Sequence, residues 1–363
     1  MNAPHYSKIH NRFLLNGFHY DQEALKSAAY SFVKEGNRFE QYMGDFLFDW
    51  LNPSDTIFLE TSGTTSHPKR MEFSKQALVN SAITTGDHFK ITVGDRSLHC
   101  LPARYIAGKM MLIRSMVLGL SMDLVSPNSN PMEDNKKKYD FAAMTPMQAF
   151  NSMSKLQQIR TLIIGGGLVS EPLQKKLLEN HINAFETYGM TETLSHIAIR
   201  KMTDPRGEFK TLSNIKINQD ERGCLVVDAP LLFIHNLVTN DVIEIINPTH
   251  FRLIGRIDNV INSGGVKIHP ETLERKLDHI IKLPFFVGSL PDPVLGEKLI
   301  LAVESKDPKD LDDLVSKIQS SDLLEAVEKP KSILMFENFQ NTFSGKLIRK
   351  DTLNSQPIKV SDL

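Results

Sequence analysis

The segment Thr61-Ser62-Gly63-Thr64-Thr65-Ser66-His67-Pro68-Lys69 gathers hydroxyl side chains and a glycine, closed by a proline and a lysine. Such a loop can wrap an anion: backbone N–H groups and hydroxyls donate, and the lysine brings a mobile positive charge. It is not the nucleotide loop spelled G-x-x-x-x-G-K-S/T, because the spacing fails and Lys69 follows Pro68. A second glycine cluster, Gly165-Gly166-Gly167, follows the apolar run Thr161–Ile164.

Both clusters need elements to hold them. Thr56–Leu59 precedes the first cluster as a short strand, and a helix is expected to open at Ser74. Ser97–Pro102, Ser121–Val125 and Thr161–Ile164 read as strands, with Ala107–Leu118 as a helix among them. Ser170 is placed to cap a helix through about Glu179, with Pro172 in its first turn. This β-α alternation predicts a parallel sheet layered with helices. Ligands of such sheets gather beyond the carboxyl ends of the strands, where both glycine clusters are expected. Upstream, Leu25, Ala28, Ala29 and Phe32, then Phe46–Leu51, predict helices, with Trp50 as core. Downstream, Cys224–Val227, Asp241–Ile246 and His250–Ile254 read as strands. Pro270–Leu277 and Leu311–Ile318 then read as helices, and Phe285–Leu290 and Leu299–Val303 as strands. The expected class is α/β: a large N-terminal domain of layered sheets and helices over 1–257, and a small α+β C-terminal domain over 258–363.

Composition excludes several function classes. A chain of 363 residues with a net charge of −1 offers no field for nucleic acid or an anionic membrane. Lys136-Lys137-Lys138 is brief, follows two acids and reads as a solvated loop. Cys100 and Cys224 have no C-x-x-C partner, so neither a disulfide framework nor a cysteine metal site is expected. Met1–Asn16 is polar, without a signal-peptide core, and no apolar run matches a membrane span. No membrane insertion and a cytoplasmic location are the expectation; oligomerisation is left open.

The loop at Thr61 resembles the phosphate-binding motif of the adenylate-forming superfamily of acyl-CoA synthetases, luciferases and peptide-synthetase adenylation domains. That motif reads S/T-S-G-T-S/T-G-x-P-K, and here Ser66 stands in place of its last glycine. Further motifs follow in the family's order. Thr187-Tyr188-Gly189-Met190-Thr191-Glu192 resembles Y-G-x-T-E. Thr239-Asn240-Asp241 resembles T-G-D, with asparagine for glycine. Gly255-Arg256-Ile257-Asp258 followed by Ile261–Ile268 resembles the hinge motif G-R-x-D-x-x-I-x-x-x-G, and Ser344-Gly345-Lys346-Leu347-Ile348-Arg349 resembles S-G-K-x-x-R.

The resemblance implies roles. Thr61, Ser62, Gly63, Thr64, Thr65 and Lys69 would hold ATP phosphates, together with Gly165, Gly166 and Gly167. Tyr188 and Gly189 would meet adenine, Thr191 a phosphate, and Glu192 the Mg²⁺ ion. Asp241 would bind the ribose hydroxyls and Arg256 the ribose or phosphate; Asp258 would be the hinge. Gly264, Gly265 and Lys267 would lie on the path of CoA's pantetheine, and Lys346 would bridge the acyl carboxylate and the α-phosphate. The reaction implied is adenylation of a carboxylic acid, with release of pyrophosphate, and acyl transfer to CoA. Family members carry a longer stretch before the phosphate loop, so a reduced first subdomain is expected.

The short first region and the run Gly189–His196 resemble short o-succinylbenzoate–CoA ligases of menaquinone biosynthesis. Ser195 and His196 would then donate near the acyl group, with Leu162–Ile164 lining the approach. A packed histidine is an equal reading of His196. Adenylation of another aryl or fatty acid, transfer to a carrier protein, and a nucleotide-binding regulator stay open.

Overall fold

A computed structural model describes residues 3–60, 70–203, 207–341 and 347–363. The chain forms two compact units: residues 1–217, 227–237 and 246–251 in the first, and 218–226, 238–245 and 252–363 in the second. They do not part at one point of the sequence. The strands Cys224–Ala229, Ile234–Asn247 and His250–Arg256 each carry residues of both units.

In the first unit, six strands are parallel: Leu14–Leu15, Ser121–Leu124, Arg96–His99, Tyr139–Met144, Ile159–Ile164 and Ala184–Gly189 lie in that order. His196–Lys201 and Phe209–Thr211 add antiparallel strands beyond Ala184–Gly189. The central strands are apolar on both sides because both faces are covered. On one face Leu98, Ala142, Met144, Leu162 and Ile164 pack with Leu173 and Leu177 of helix Glu171–Glu179. On the other, Phe141, Ala143 and Ile163 pack with Met111 of helix Ile106–Leu118 and Phe89 of helix Lys75–Phe89. Leu162 and Ile164 therefore belong to the helix 171–179 side of the core. Only Ile163 shares the side of Phe89 and Phe185, so the period-two alternation corrects the expectation that all three line one path.

Local signals account for the helix starts. Asn37 and Glu40 form a capping box on Arg38–Leu51, Thr145 and Gln148 another on Pro146–Asn151, and Ser170 caps Glu171–Glu179. Ser74 precedes Lys75–Phe89 without donating or accepting a side-chain cap. Trp50 is buried, at 3% exposure.

One expectation needs correcting. Thr56–Glu60 is not part of the parallel sheet. It pairs antiparallel with Arg70–Ser74 in a separate two-stranded sheet, with Glu60 opposite Arg70. Residues 61–69 separate these two strands in sequence and lie outside the described residues. A five-residue strand reads the same in either setting; only its partner distinguishes them.

The second unit is a six-stranded sheet ordered Val266–Ile268, Ile261–Ser263, Gly296–Glu304, Ser332–Phe336, Lys359–Asp362, with Phe285–Asp292 also on Gly296–Glu304. Helices Pro270–Leu277 and Lys309–Gln319 bury Leu273, Leu277, Leu311, Leu314 and Ile318 against Leu299, Leu301 and Ile333. Among the described residues no helix is long and apolar enough to cross a membrane. Both cysteines are buried free thiols.

His99 ends its strand fully buried, with neither ring nitrogen hydrogen-bonded and with Phe39 edge-on at 5.7 Å. Burial pushes its pKa down to about 4. Below the ordinary histidine value the unfolded chain takes up a proton that the folded chain refuses. Stability therefore falls from about pH 6.5 toward pH 4, by up to about 3 kcal/mol from this residue. His99→Leu should flatten that decline in urea midpoints measured between pH 7 and pH 4.5; an unchanged slope would show that His99 is not responsible.

Candidate active site

Gly165–Gly167 leave the carboxyl end of Ile159–Ile164, which is where a nucleotide is expected on a parallel sheet. Gly166 has φ +83°, a backbone suited to glycine. The neighbouring strand holds this turn in place. Gly165 N–H donates to Met144 O at 3.1 Å, and Thr187 Oγ1 donates to Ile164 O at 3.1 Å. Val169 N–H donates to the buried Glu186 carboxylate at 3.0 Å, and Glu186 in turn is gripped by Arg200 at 2.6 Å. The structure thus brings Gly165 against Thr187 of the neighbouring strand.

Tyr188 is 8% exposed and edge-on to Phe251 at 5.3 Å and Phe209 at 5.9 Å. The aromatic group at this position is a three-ring cluster, of which only Tyr188 stands out in the sequence. Beyond it the chain turns sharply. Thr193 Oγ1 accepts from Met190 N–H at 2.9 Å and donates to Ser195 O at 2.8 Å, and Leu194 takes φ +64°. Any Cβ at Gly189 would collide with the Ser195 backbone, which explains the glycine. Thr191 is buried and Glu192 half-buried. No group of three or more His, Cys, Asp or Glu side chains that could hold a metal occurs among the described residues. The fit is to a cation that a carboxylate shares with substrate phosphates, as Mg²⁺ prefers, and not to a protein-only cage.

Ser195 and His196 converge on a residue that sequence reading missed. Arg114, from helix Ile106–Leu118, is 2% exposed, and its terminal nitrogen donates to Ser195 Oγ at 2.6 Å and lies 3.4 Å from His196 Nδ1. Its Nε has no partner, and among the described residues no carboxylate forms an ion pair with it. Burial pushes its pKa down to about 9, still cationic at neutral pH. His196 is buried, with Nε2 3.4 Å from Thr85 Oγ1, and both burial and the Arg114 charge hold its pKa well below the usual value, so the imidazole is neutral. A narrow cleft lined by Ser81, Thr84, Leu212 and Leu232 reaches His196. An unbalanced buried cation costs several kcal/mol unless an anion joins it. The available sequence signal was one arginine inside the apolar run Met110–Leu118.

The second unit assembles another group. Arg256 donates to Asp258 at 2.7 Å and to the buried Asp241 at 3.3 Å, while Asn240 Nδ2 reaches both Asp258 oxygens at 3.2 Å. Asn240, which stands where the family motif has glycine, thus bonds to the expected hinge carboxylate. Gly264 and Gly265, with φ +57° and +84°, form the two-residue turn between Ile261–Ser263 and Val266–Ile268. Lys267 is exposed on the second of these strands. Thr61, Ser62, Gly63, Thr64, Thr65, Lys69 and Lys346 lie outside the described residues.

The family model described as AMP-binding enzyme matches residues 19–221. The 2-succinylbenzoate–CoA ligase of Listeria monocytogenes serovar 1/2a is 22% identical over 84% of this chain and 71% of its own. The acyl-CoA synthetase (AMP-forming)/AMP-acid ligase II-like protein of Dyadobacter fermentans DSM 18053 is 32% identical, with a TM-score of 0.58 over 91% of this chain and 97% of that one. The fold also matches o-succinylbenzoate CoA synthetase of Bacillus subtilis in complex with the acyl-adenylate OSB-AMP, at TM-score 0.74 and 23% identity over 83% and 69% of the two chains. With a family model matching more than half its length, this chain belongs to the AMP-binding enzyme family.

Proposed function

We propose that this protein is an AMP-forming acid–CoA ligase whose acid is 2-succinylbenzoate, in the cytoplasmic biosynthesis of menaquinone. The observation that carries the substrate class is Arg114: a buried guanidinium without a carboxylate partner, beside Ser195 Oγ and a neutral His196. A dicarboxylate suits it. The reacting carboxylate is activated while the other supplies the missing anion, and Ser195 and His196 fix its orientation.

The nucleotide assignments follow the motifs. Gly165–Gly167 and the loop at 61–69 take the phosphates, Tyr188 with its phenyl neighbours borders the purine, Thr191 donates to phosphate, and Asp241 accepts from the ribose hydroxyls. Glu192 is the carboxylate that would hold Mg²⁺, which when bound neutralises phosphate charge. Lys346 stabilises the negative charge that grows as the acid oxygen attacks the α-phosphorus and pyrophosphate leaves. CoA's thiol then attacks the acyl carbon and releases AMP, along a path on which we place Gly264, Gly265 and Lys267.

Acid-dependent ATP–pyrophosphate exchange across a panel of acids, repeated with CoA, tests this reading. Exchange with 2-succinylbenzoate and thioester formation on adding CoA are expected; exchange with fatty acids alone would overturn the substrate. Asp258 is assigned as the hinge. Proline would lock the φ of its 3₁₀ turn. Asp258→Pro should separate the half-reactions by about tenfold or more, measured as exchange against thioester formation from supplied acyl-AMP. Equal rates for both would remove the hinge assignment.

A further inference from the structure

Alternation along strand Ala184–Gly189 buries Ala184, Glu186 and Tyr188 and leaves Phe185 and Thr187 half-buried. Glu186 is the charged member of the buried row, with its side chain 5% exposed, and no motif role accounts for it. Directly opposite in the antiparallel register stands Arg200, its side chain 13% exposed. Arg200 Nε and one terminal nitrogen donate to the same carboxylate oxygen, at 2.8 and 2.6 Å. The other terminal nitrogen donates to Gln174 Oε1 of helix Glu171–Glu179 at 3.3 Å.

Arg200 thus occupies one oxygen of Glu186 and leaves the other for Val169 N–H, at 3.0 Å. Val169 closes the turn that Gly165 opens. At the opening, Gly165 N–H donates to Met144 O at 3.1 Å, and a Cβ on Gly165 would sit 2.4 Å from Thr187 Oγ1. The two anchors fix the direction of the N–H groups between them, on a backbone that takes φ +83° at Gly166. A buried ion pair is often no more stabilising than apolar side chains of the same size, so stability alone gives no reason for charge at Glu186. What an apolar side chain cannot do is accept from Val169 N–H, and an ionised acceptor makes that bond strong and directional.

We propose that Glu186 is a positioning residue for nucleotide binding: held by Arg200, its carboxylate fixes the turn 165–169 so that the turn's N–H groups meet a phosphate. This rests on the phosphate role assigned to Gly165–Gly167. The expected signature is a loss that depends on the ligand's phosphates, because an adenosine without them makes no use of the turn.

The test measures binding of Mg²⁺–ATP and of adenosine to the full chain by calorimetry, with thermal unfolding alongside. The double variant Glu186→Leu with Arg200→Met exchanges the pair for apolar side chains and leaves no buried charge unpaired. It should bind ATP at least about tenfold more weakly, while adenosine changes by less than about twofold. Glu186→Gln with Arg200→Met keeps an amide oxygen for Val169 N–H and should recover most of the lost ATP affinity. Val169→Pro removes the same hydrogen bond from its donor side and should weaken ATP selectively too, which keeps the proposal testable if the first double variant does not fold. Equal weakening of ATP and adenosine, or ATP binding at wild-type strength once the Val169 bond is gone, overturns the proposal. So does equal ATP affinity in the two double variants. Gly166→Ala, which strains the turn itself, separates the two levels. If that variant keeps its ATP affinity, the phosphate role of the turn fails and this proposal with it. If it loses ATP while the Glu186 variants keep theirs, only the positioning role fails.

Discussion

Lys346→Ala should lower the rate of acyl-adenylate formation by at least about a hundredfold, and leave thioester formation from supplied acyl-AMP within a few-fold of wild type. The argument is one of charge. In-line attack concentrates negative charge around the α-phosphorus, and a lysine ammonium aimed there lowers the barrier by about 3–4 kcal/mol. No such charge develops when a thiol attacks the acyl carbon of the finished adenylate. A lysine needed in one step can be withdrawn for the other. Equal losses in both half-reactions would show a general structural role.

Arg114→Met should act oppositely on stability and on activity. Removing an uncompensated buried cation and filling its space with an apolar chain is expected to raise the unfolding temperature by a few degrees. Loss of the charge that we propose meets the substrate's second carboxylate should cost about 2–5 kcal/mol, a thirty- to several-thousand-fold fall in kcat/KM for 2-succinylbenzoate. Benzoate, which lacks that carboxylate, should be affected far less, so the preference between the two acids should narrow. Calorimetry and steady-state kinetics on both acids test this. A variant that is less stable, or that loses both substrates alike, would place Arg114 in the fold and not at the substrate.

Much of the architecture was legible because local chemistry and tertiary environment agree. Pro270–Leu277 was expected as a helix and is one, since Pro270 opens it and Leu273 and Leu277 recur on its buried face. The parallel strands near Ser97, Ser121 and Thr161 were legible as short apolar runs, whereas Leu14–Leu15, Tyr139–Met144 and Ala184–Gly189 were not read as strands. What stayed hidden was which face each side chain takes and which strand pairs with which. Thr56–Leu59 gives no hint that Arg70–Ser74 is its partner, and Leu162–Ile164 look equivalent until the sheet divides them between two cores. The site shows the same limit. Motif residues such as Tyr188, Glu192 and Asp241 could be named from short patterns, but Phe209 and Phe251 reach Tyr188 only through strand pairing. Arg114 sits 81 residues from Ser195 in sequence, inside a helix that otherwise reads as core. Arg349 was visible as the end of a motif, yet its partners Glu274 and Val287 are long-range.

The most direct measurement of the central claim is the fate of the acid's own oxygen. 2-Succinylbenzoate labelled with ¹⁸O in its carboxylates, incubated with ATP, Mg²⁺ and CoA to completion, should yield AMP carrying one ¹⁸O atom. The carboxylate oxygen that attacks the α-phosphorus departs with AMP when the thiol displaces it. Unlabelled AMP, or label found in inorganic phosphate alongside ADP, would contradict the account.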